Sequence, residues 1–213
     1  MFKALFDPDS PFGKGMEMVF HLILLNILWL LCSLGVVTIG ASSAAVHAVL
    51  FKMLEGKDTG VVRQFFAAFK ENWKRATAAW LVLLVVIAIC AFDWKFAALM
   101  DSFAWKVVAV AGLQVVGVIC TFLFALLARY ENTWRNQLRN ALLLGVGHLP
   151  RMLLVWLVWA GPVVLTVWSM ETLHFMLLLW LLAGYSGLSY AGLRILKPVF
   201  DKLEEDTPEN VEE

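Results

Sequence analysis

Charged residues are scarce in this chain. Of its 213 residues, only 16% are Asp, Glu, Lys or Arg, against about a quarter in soluble domains. Hydrophobic residues make up 61% of the chain, and the mean hydropathy is +0.77. A soluble fold of this length has too little interior to bury so much apolar surface. The composition excludes a disordered or collagen-like chain and favours a polytopic membrane protein.

Cysteine is also rare. Cys32, Cys90 and Cys120 lie singly within apolar runs. No two of them have the Cys-x-x-Cys spacing of a metal site, and an odd count argues against a disulfide framework. We interpret all three as small buried hydrophobic residues.

Sequence motifs for chemistry are missing as well. The chain has no Gly-x-Ser-x-Gly, no His-Glu-x-x-His, no P-loop and no Gly-x-Gly-x-x-Gly. No charged side chain lies in the middle of an apolar run, where a proton-coupled carrier usually has a carboxylate. We therefore expect no enzyme, no cofactor and no metal. Nucleic acid is not an expected partner either, because no groove motif of aromatic and basic residues is present.

Six apolar segments are candidates for crossing a membrane. The longest stretch without a charge, 18–51, has 34 residues, well beyond the 20 or so that one helix needs. Because Thr38-Ile39-Gly40 interrupts this stretch, we predict a hairpin with spans at 19–37 and 41–54, the second one short. Four further runs of 17 to 22 residues lie at 76–92, 107–128, 152–170 and 172–193. The predicted fold class is all-α, a polytopic helical bundle with about six membrane segments.

The chain is predicted to be one domain followed by a tail. Residues 1–198 contain all six segments. Seven acidic residues lie among the last thirteen, and such a charge run is typical of a solvated, disordered tail. We predict a disordered acidic tail over 199–213.

The distribution of Lys and Arg predicts the orientation. Fifteen of the seventeen lie in the N-terminal arm, the 52–75 and 129–151 connections and the C-terminal tail, and only Lys95 and Lys106 lie on the other side. The positive-inside rule then places both termini in the cytoplasm. If the 41–54 helix does not cross, five spans remain and the N-terminus lies outside.

Two connections on the basic side have apolar residues at helical spacing. Each predicts an amphipathic helix, over 61–75 and over 131–147. Each helix would lie on the lipid surface or dock a partner. The residues proposed for this contact are Phe65, Phe69, Trp73 and Trp134.

A few neutral polar side chains fall inside the predicted spans. Asn26, His47 and Gln114 are the candidate polar sites within the membrane. An unsatisfied amide is costly in the middle of a span, so we expect Asn26 to bond to another helix, near Met53 or elsewhere. A packing role and a solute contact are both open for Asn26.

Tryptophan is abundant, with ten residues. Several of them fall within spans or near span ends, including Trp29, Trp156, Trp159 and Trp180. Indole rings are suited to the membrane interface and to packing. A Trp lining is also able to hold a sugar ring by stacking.

Three motifs occur in an order and spacing that carry a family resemblance. They are Leu-Asn-Ile-Leu-Trp-Leu-Leu at 25–31, Val-Thr-Ile-Gly-Ala at 37–41 and Phe-Phe-Ala-Ala-Phe-Lys-Glu-Asn-Trp at 65–73. Arg-Tyr-Glu-Asn at 129–132 and His-Leu-Pro at 148–150 fit the same pattern. Together they resemble the YesL-like family of bacterial membrane proteins (domain of unknown function 624).

The resemblance implies an integral protein of the bacterial inner membrane. The genes of this family often lie near sugar-uptake and polysaccharide-degrading genes, which implies a role in carbohydrate acquisition. The family has no catalytic residues to carry over. The expected function is therefore an accessory or regulatory component of carbohydrate uptake, and the alternative is a small-solute transporter or permease subunit. The expected partners are the lipid bilayer and other membrane transport subunits, and a homo-oligomer stays open.

Overall fold

The computed structural model describes residues 10–57, 60–100 and 102–205. Within these ranges the chain forms helices joined by short turns, and no strand occurs. In chain order the helices are α1 (Pro11–Cys32), α2 (Ile39–Leu54), α3 (Val61–Leu99), α4 (Phe103–Arg129), α5 (Trp134–Gly147), α6 (Leu149–Trp168), α7 (Met170–Leu179) and α8 (Tyr185–Glu205), with a 3-10 turn at Val36–Thr38 and a π-helical turn at Trp180–Gly184.

Six helical stretches are long and apolar enough to cross a membrane. They are Phe12–Cys32, Val36–Leu54, Val61–Leu99, Phe103–Arg129, Leu149–Trp168 and Met170–Glu204. The predicted all-α polytopic bundle is therefore confirmed, although several helix ends differ from the predicted spans.

The first helix begins earlier than predicted. α1 starts at Pro11, and the Ser10 hydroxyl caps it by accepting the Gly13 N–H at 2.9 Å. Serine at the cap and proline at the first helical position are both favourable there. The helix ends at Cys32, before the predicted end of the span at 37.

The short second helix is the centre of the bundle. Eleven of the sixteen residues of α2 are buried. In the most apolar part of Val36–Leu54, 56% of the residues are buried, against 28% or less in the five other stretches. A Cβ on Gly40 would lie 2.5 Å from the carbonyl oxygen of Ala76, so α2 and α3 meet backbone to backbone. Because neighbouring helices cover α2, little of its backbone is exposed to lipid although the helix is short.

The predicted 61–75 amphipathic helix and the predicted 76–92 span form one continuous helix. α3 has 39 residues without a glycine or proline and is about 58 Å long at 1.5 Å per residue. The hydrocarbon core of a bilayer is about 30 Å thick. α3 is therefore longer than one membrane crossing needs, and it packs along α2.

The packing of α3 corrects the expected role of Phe65. Phe65 is fully buried, and its ring contacts the rings of Phe66 and Phe69. Phe69 is half-buried against the core, whereas Trp73 is exposed. Phe65 is thus a core residue rather than a surface contact, because α2 covers this face of α3.

The 131–147 connection also packs into the bundle. The buried face of α5 consists of Gln137, Ala141 and Gly145, and a Cβ on Gly145 would lie 2.2 Å from a methyl carbon of Val118 on α4. Trp134 lies half-buried at the edge of the core, with the Arg135 guanidinium 5.2 Å from its ring. One face of α5 is therefore held by α4, while Leu143 and Val146 are exposed on α5.

The last helix continues past residue 198. α8 runs to Glu205, and Phe200 is fully buried with its ring 5.2 Å from that of Phe51. The prediction of disorder is therefore wrong for 199–205, because the apolar residues there complete the core. Residues 206–213 of the predicted tail lie outside the described residues.

An ion-pair cluster ties three chain segments together at one end of the bundle. The Arg129 guanidinium at the end of α4 bonds the carboxylates of Glu204 and Glu55, the latter at 3.3 Å. Its side chain is 15% exposed and lies over the Phe51 ring. Burial, reinforced by the Glu204 carboxylate, raises the pKa of the neighbouring Tyr130 phenol, so this phenol stays neutral beside the pair.

Candidate functional site

A cavity of about 270 Å³ lies between α2, α4, α6 and α8. Its volume is just below the range of about 300–1,000 Å³ typical of ligand pockets, so it suits a small molecule. It is lined by His47, Cys120, Thr121, Phe124, Val155, Trp156, Trp159, Tyr185, Ser189, Gly192, Leu193 and Leu196.

Aromatic rings form one wall of this cavity, which we call the central cavity. The Tyr185 ring stacks on the Trp29 ring of α1, with centroids 4.0 Å apart and planes inclined by 6°. The Trp159 ring meets the edge of Tyr185 at 5.9 Å. These contacts fix the orientation of Tyr185, since aromatic pairs prefer such offset and edge geometries.

Neutral polar groups complete the lining. The Trp156 indole N–H donates to the Thr121 hydroxyl at 2.9 Å, and that hydroxyl donates to the Gly117 carbonyl at 2.8 Å. His47 Nδ1 lies 2.8 Å from the Ser43 carbonyl oxygen. Because a carbonyl only accepts, Nδ1 carries the proton, and Nε2 of the neutral ring is then an acceptor.

The charge of the lining sets its chemistry. None of the residues that line the central cavity is Asp, Glu, Lys or Arg. Hydroxyl, imidazole and indole groups next to flat aromatic faces are suited to a neutral polar molecule with a ring.

The start of α8 is held by an unusual contact from α1. The Asn26 amide nitrogen donates to the carbonyl oxygens of Trp180 and Leu181 at 2.9 and 2.8 Å. Its amide oxygen accepts the N–H groups of Tyr185 and Ser186 at 3.0 and 3.1 Å. The amide thus satisfies four backbone groups at the π-helical turn, which lies directly before the cavity residue Tyr185.

Gly184 allows the π-helical turn to pack. A Cβ at this position would lie 2.5 Å from the Trp180 ring, so the ring needs a residue without a side chain there. The Trp180 indole N–H donates to the Thr166 hydroxyl of α6 at 2.9 Å. The turn is therefore tied to α6 as well as to α1.

The structure separates the three polar residues predicted within the membrane. Asn26 is fully buried and bonds to the π-helical turn rather than to the end of α2. His47 lines the central cavity. Gln114 is exposed on the surface of α4 and does not join them.

Several cavity residues were not identified from the sequence. Trp156 and Trp159 were named for stacking only as members of a larger set of tryptophans. Thr121, Tyr185 and Ser189 belong to no motif that marks them as site residues. The sequence does contain one signal, because Tyr-Ser-Gly-Leu-Ser-Tyr at 185–190 is a polar cluster within an otherwise apolar run.

Comparisons with known proteins agree with the sequence motifs. A family model described as "Protein of unknown function, DUF624" matches residues 22–94. The chain is 27% identical over 124 residues to the "Uncharacterized protein YesL" of Bacillus subtilis (strain 168), an alignment that covers 56% of this chain and 59% of that protein. The chain thus spans less than two thirds of the curated relative it matches. No solved structure matches this chain. The two matches confirm the resemblance and relate this chain to the YesL-like DUF624 family.

Proposed function

We propose that this protein is an accessory or regulatory component of carbohydrate uptake, and that it responds to a small neutral solute in the central cavity. The observation that carries this proposal is the lining itself, in which aromatic faces lie beside neutral hydrogen-bonding groups. A sugar ring has apolar C–H faces for stacking and hydroxyl groups for bonding. The assignment to carbohydrate is further supported by the YesL-like resemblance.

We propose a role in binding rather than in catalysis or ion-coupled transport. A coupled carrier usually has a charged side chain in the membrane interior, and no Asp, Glu, Lys or Arg lines the central cavity. The expected partners are a permease or ATPase subunit of the same uptake system.

We also propose an orientation in the bacterial inner membrane with both termini in the cytoplasm. Fifteen of the seventeen Lys and Arg residues lie in the segments that this orientation places in the cytoplasm. The Arg129 cluster joins three of these segments and supports their position on the same side of the membrane. Reporter domains fused at Gly60 and after Lys202 are expected to give cytoplasmic signals. A periplasmic signal at Gly60 would contradict this orientation.

A small-solute transporter is the second candidate. The position of the central cavity, between four helices of a membrane bundle, favours it. Uptake of labelled monosaccharide into vesicles that contain only the purified protein would support transport. Binding without uptake, together with stoichiometric co-purification of a permease or ATPase subunit in mild detergent, would support the accessory role.

Ligand binding itself is tested by tryptophan fluorescence of the purified protein. We expect a saturable change with neutral monosaccharides and none with glucuronate, because the lining has no cation to pair with a carboxylate. Trp156→Ala should weaken binding about tenfold, or about 1.4 kcal/mol, whereas Trp94→Ala at an exposed position outside the cavity should not. Equal titrations with neutral and acidic sugars, or none with either, would refute the proposed ligand class.

A further inference from the structure

The Asn26 amide is inserted into the backbone hydrogen bonds of another helix. It bonds the carbonyl groups of the first two residues of the π-helical turn and the N–H groups of the first two residues of α8. We propose that Asn26 is a positioning residue of the central cavity. Its amide maintains the turn, and the turn sets the direction in which α8 presents Tyr185. Only the consequence for ligand affinity rests on the proposed function.

The helical phase explains why the turn matters to the cavity. One face of α8 lines the cavity through residues three or four apart, namely Tyr185, Ser189, Leu193 and Leu196. A π-helical turn contains one residue more than the corresponding α-helical turn. Closing it into a regular α-helix would rotate the following residues by about 100°, the angular step of one residue. That rotation would turn this face away from the cavity.

α1 meets the turn and the start of α8 through several contacts, and it also packs against α2 and α3. Beside the four Asn26 bonds, the Ser186 hydroxyl donates to the Leu22 carbonyl at 2.7 Å, and Trp29 stacks on Tyr185. The N-terminal half of α1 is largely exposed, including Phe12 and Phe20. The turn and the middle of α1 therefore form one unit, with the amide at its centre.

The bonds of the Asn26 amide are important because the turn lies in a membrane-spanning segment. Backbone groups there have no water to bond, so each must find a partner within the protein. With leucine at position 26, four backbone groups at the turn and at the start of α8 lose their bonds to the amide. Closing the turn into an α-helix pairs these groups within the chain. We therefore expect Asn26→Leu to change the rotation of α8, and with it the cavity.

The natural thiol of Cys120 provides a probe of the cavity that needs no ligand. Cys120 lines the cavity, whereas Cys32 and Cys90 do not. In a background with Cys32→Ala and Cys90→Ala, the rate of modification by the neutral reagent N-ethylmaleimide reports access to Cys120. We expect Asn26→Leu to change this rate at least tenfold.

Two control variants separate positioning from loss of stability. Leu25→Ala removes a fully buried neighbour that makes no side-chain hydrogen bond, so it should lower the thermal midpoint while the Cys120 rate stays within twofold. Gln114→Leu makes the same type of change at an exposed position and should alter neither quantity. If Asn26→Leu and Leu25→Ala change the Cys120 rate equally, the effect is general loosening and the proposal fails.

A compensating deletion provides the sharpest test. Removing Leu182, an exposed residue of the turn, shortens the turn by one residue and yields a regular α-helix that keeps α8 in its present rotation. The deletion should therefore restore both the Cys120 rate and the thermal midpoint in Asn26→Leu. If Asn26→Leu alone does not fold, recovery of a folded protein by the deletion would support the positioning role in the same way.

The outcomes distinguish this inference from the proposed function. An unchanged Cys120 rate in folded Asn26→Leu, or a deletion that worsens it, would overturn the positioning role. A changed rate that the deletion restores, in a protein that binds no sugar, would retain the positioning role and reject the proposed ligand. For a monosaccharide that binds, affinity should fall at least tenfold in Asn26→Leu and recover with the deletion.

Discussion

The burial of Phe65 makes a sharp test of how the 61–75 segment packs. Phe65→Ala would leave a ring-sized cavity between α2 and α3, since the side chain is 0% exposed. Phe→Ala changes in cores cost about 3–5 kcal/mol, and here the ring contacts with Phe66 and Phe69 are lost as well. We expect the upper part of that range, measured by denaturant or thermal unfolding in a fixed detergent.

The adjacent ring provides the matched control. Phe66 lies on the same segment but is 48% exposed, so Phe66→Ala should cost about 0.5–1.5 kcal/mol, mainly its edge contact with Phe65. A lipid-surface helix would give a different pattern, because both rings would then lie at the interface. Equal losses for the two variants, or a larger loss for Phe66→Ala, would refute the packed arrangement.

Two further pairs of variants test the ion cluster and the π-helical turn. Arg129→Met should cost about 1.5–3 kcal/mol, because the partly buried guanidinium bonds two carboxylates, whereas Lys57→Met, at a side chain that is 72% exposed, should stay within about 0.5 kcal/mol. A loss in Lys57→Met equal to that in Arg129→Met would contradict the cluster. Gly184→Ala should lower the free energy of unfolding by about 1–3 kcal/mol through overlap with the Trp180 ring, whereas a Cβ on Gly187 meets nothing within 4 Å, so Gly187→Ala should be neutral or stabilising by up to about 1 kcal/mol. Thermal unfolding measures both pairs, and a stabilising Gly184→Ala would show that the ring moves freely.

The number and type of membrane segments could be predicted from the sequence because apolar run length directly reflects bilayer thickness. The helix ends could not be predicted in this way, because charged residues set the limits of an apolar run. α1 begins at Ser10-Pro11, ahead of the charged residues that bound its apolar run. α3 continues through its charged positions because no glycine or proline breaks it. A charge on an exposed face ends the apolar run but does not end a helix.

The candidate site was predictable only in part. A mid-span Asn26 indicated a bond to another helix, and the structure shows that bond. Its partner could not be inferred, because a π-helical turn has no sequence signature as plain as a cap or a proline. Tyr185 is in regular register with Ser189 and Leu193 on α8, but the turn before it breaks the register with α7, so 3.6-residue periodicity read across the whole apolar run does not place it.

The indole groups of the bundle show why the central cavity is suited to hydroxyl donors. Trp29, Trp80, Trp156 and Trp180 each donate the indole N–H to a group on another segment. These hydrogen bonds matter in lipid, where burial of apolar surface adds little to helix association. The four indole N–H groups are already bonded within the protein. The Thr121 hydroxyl has both accepted and donated a bond, which leaves it one free lone pair. His47 Nε2 is also an acceptor, whereas the Tyr185 and Ser189 hydroxyls in the lining are able to donate as well as to accept. A molecule with hydroxyl groups and a flat apolar face fits such a lining, and a sugar ring carries both.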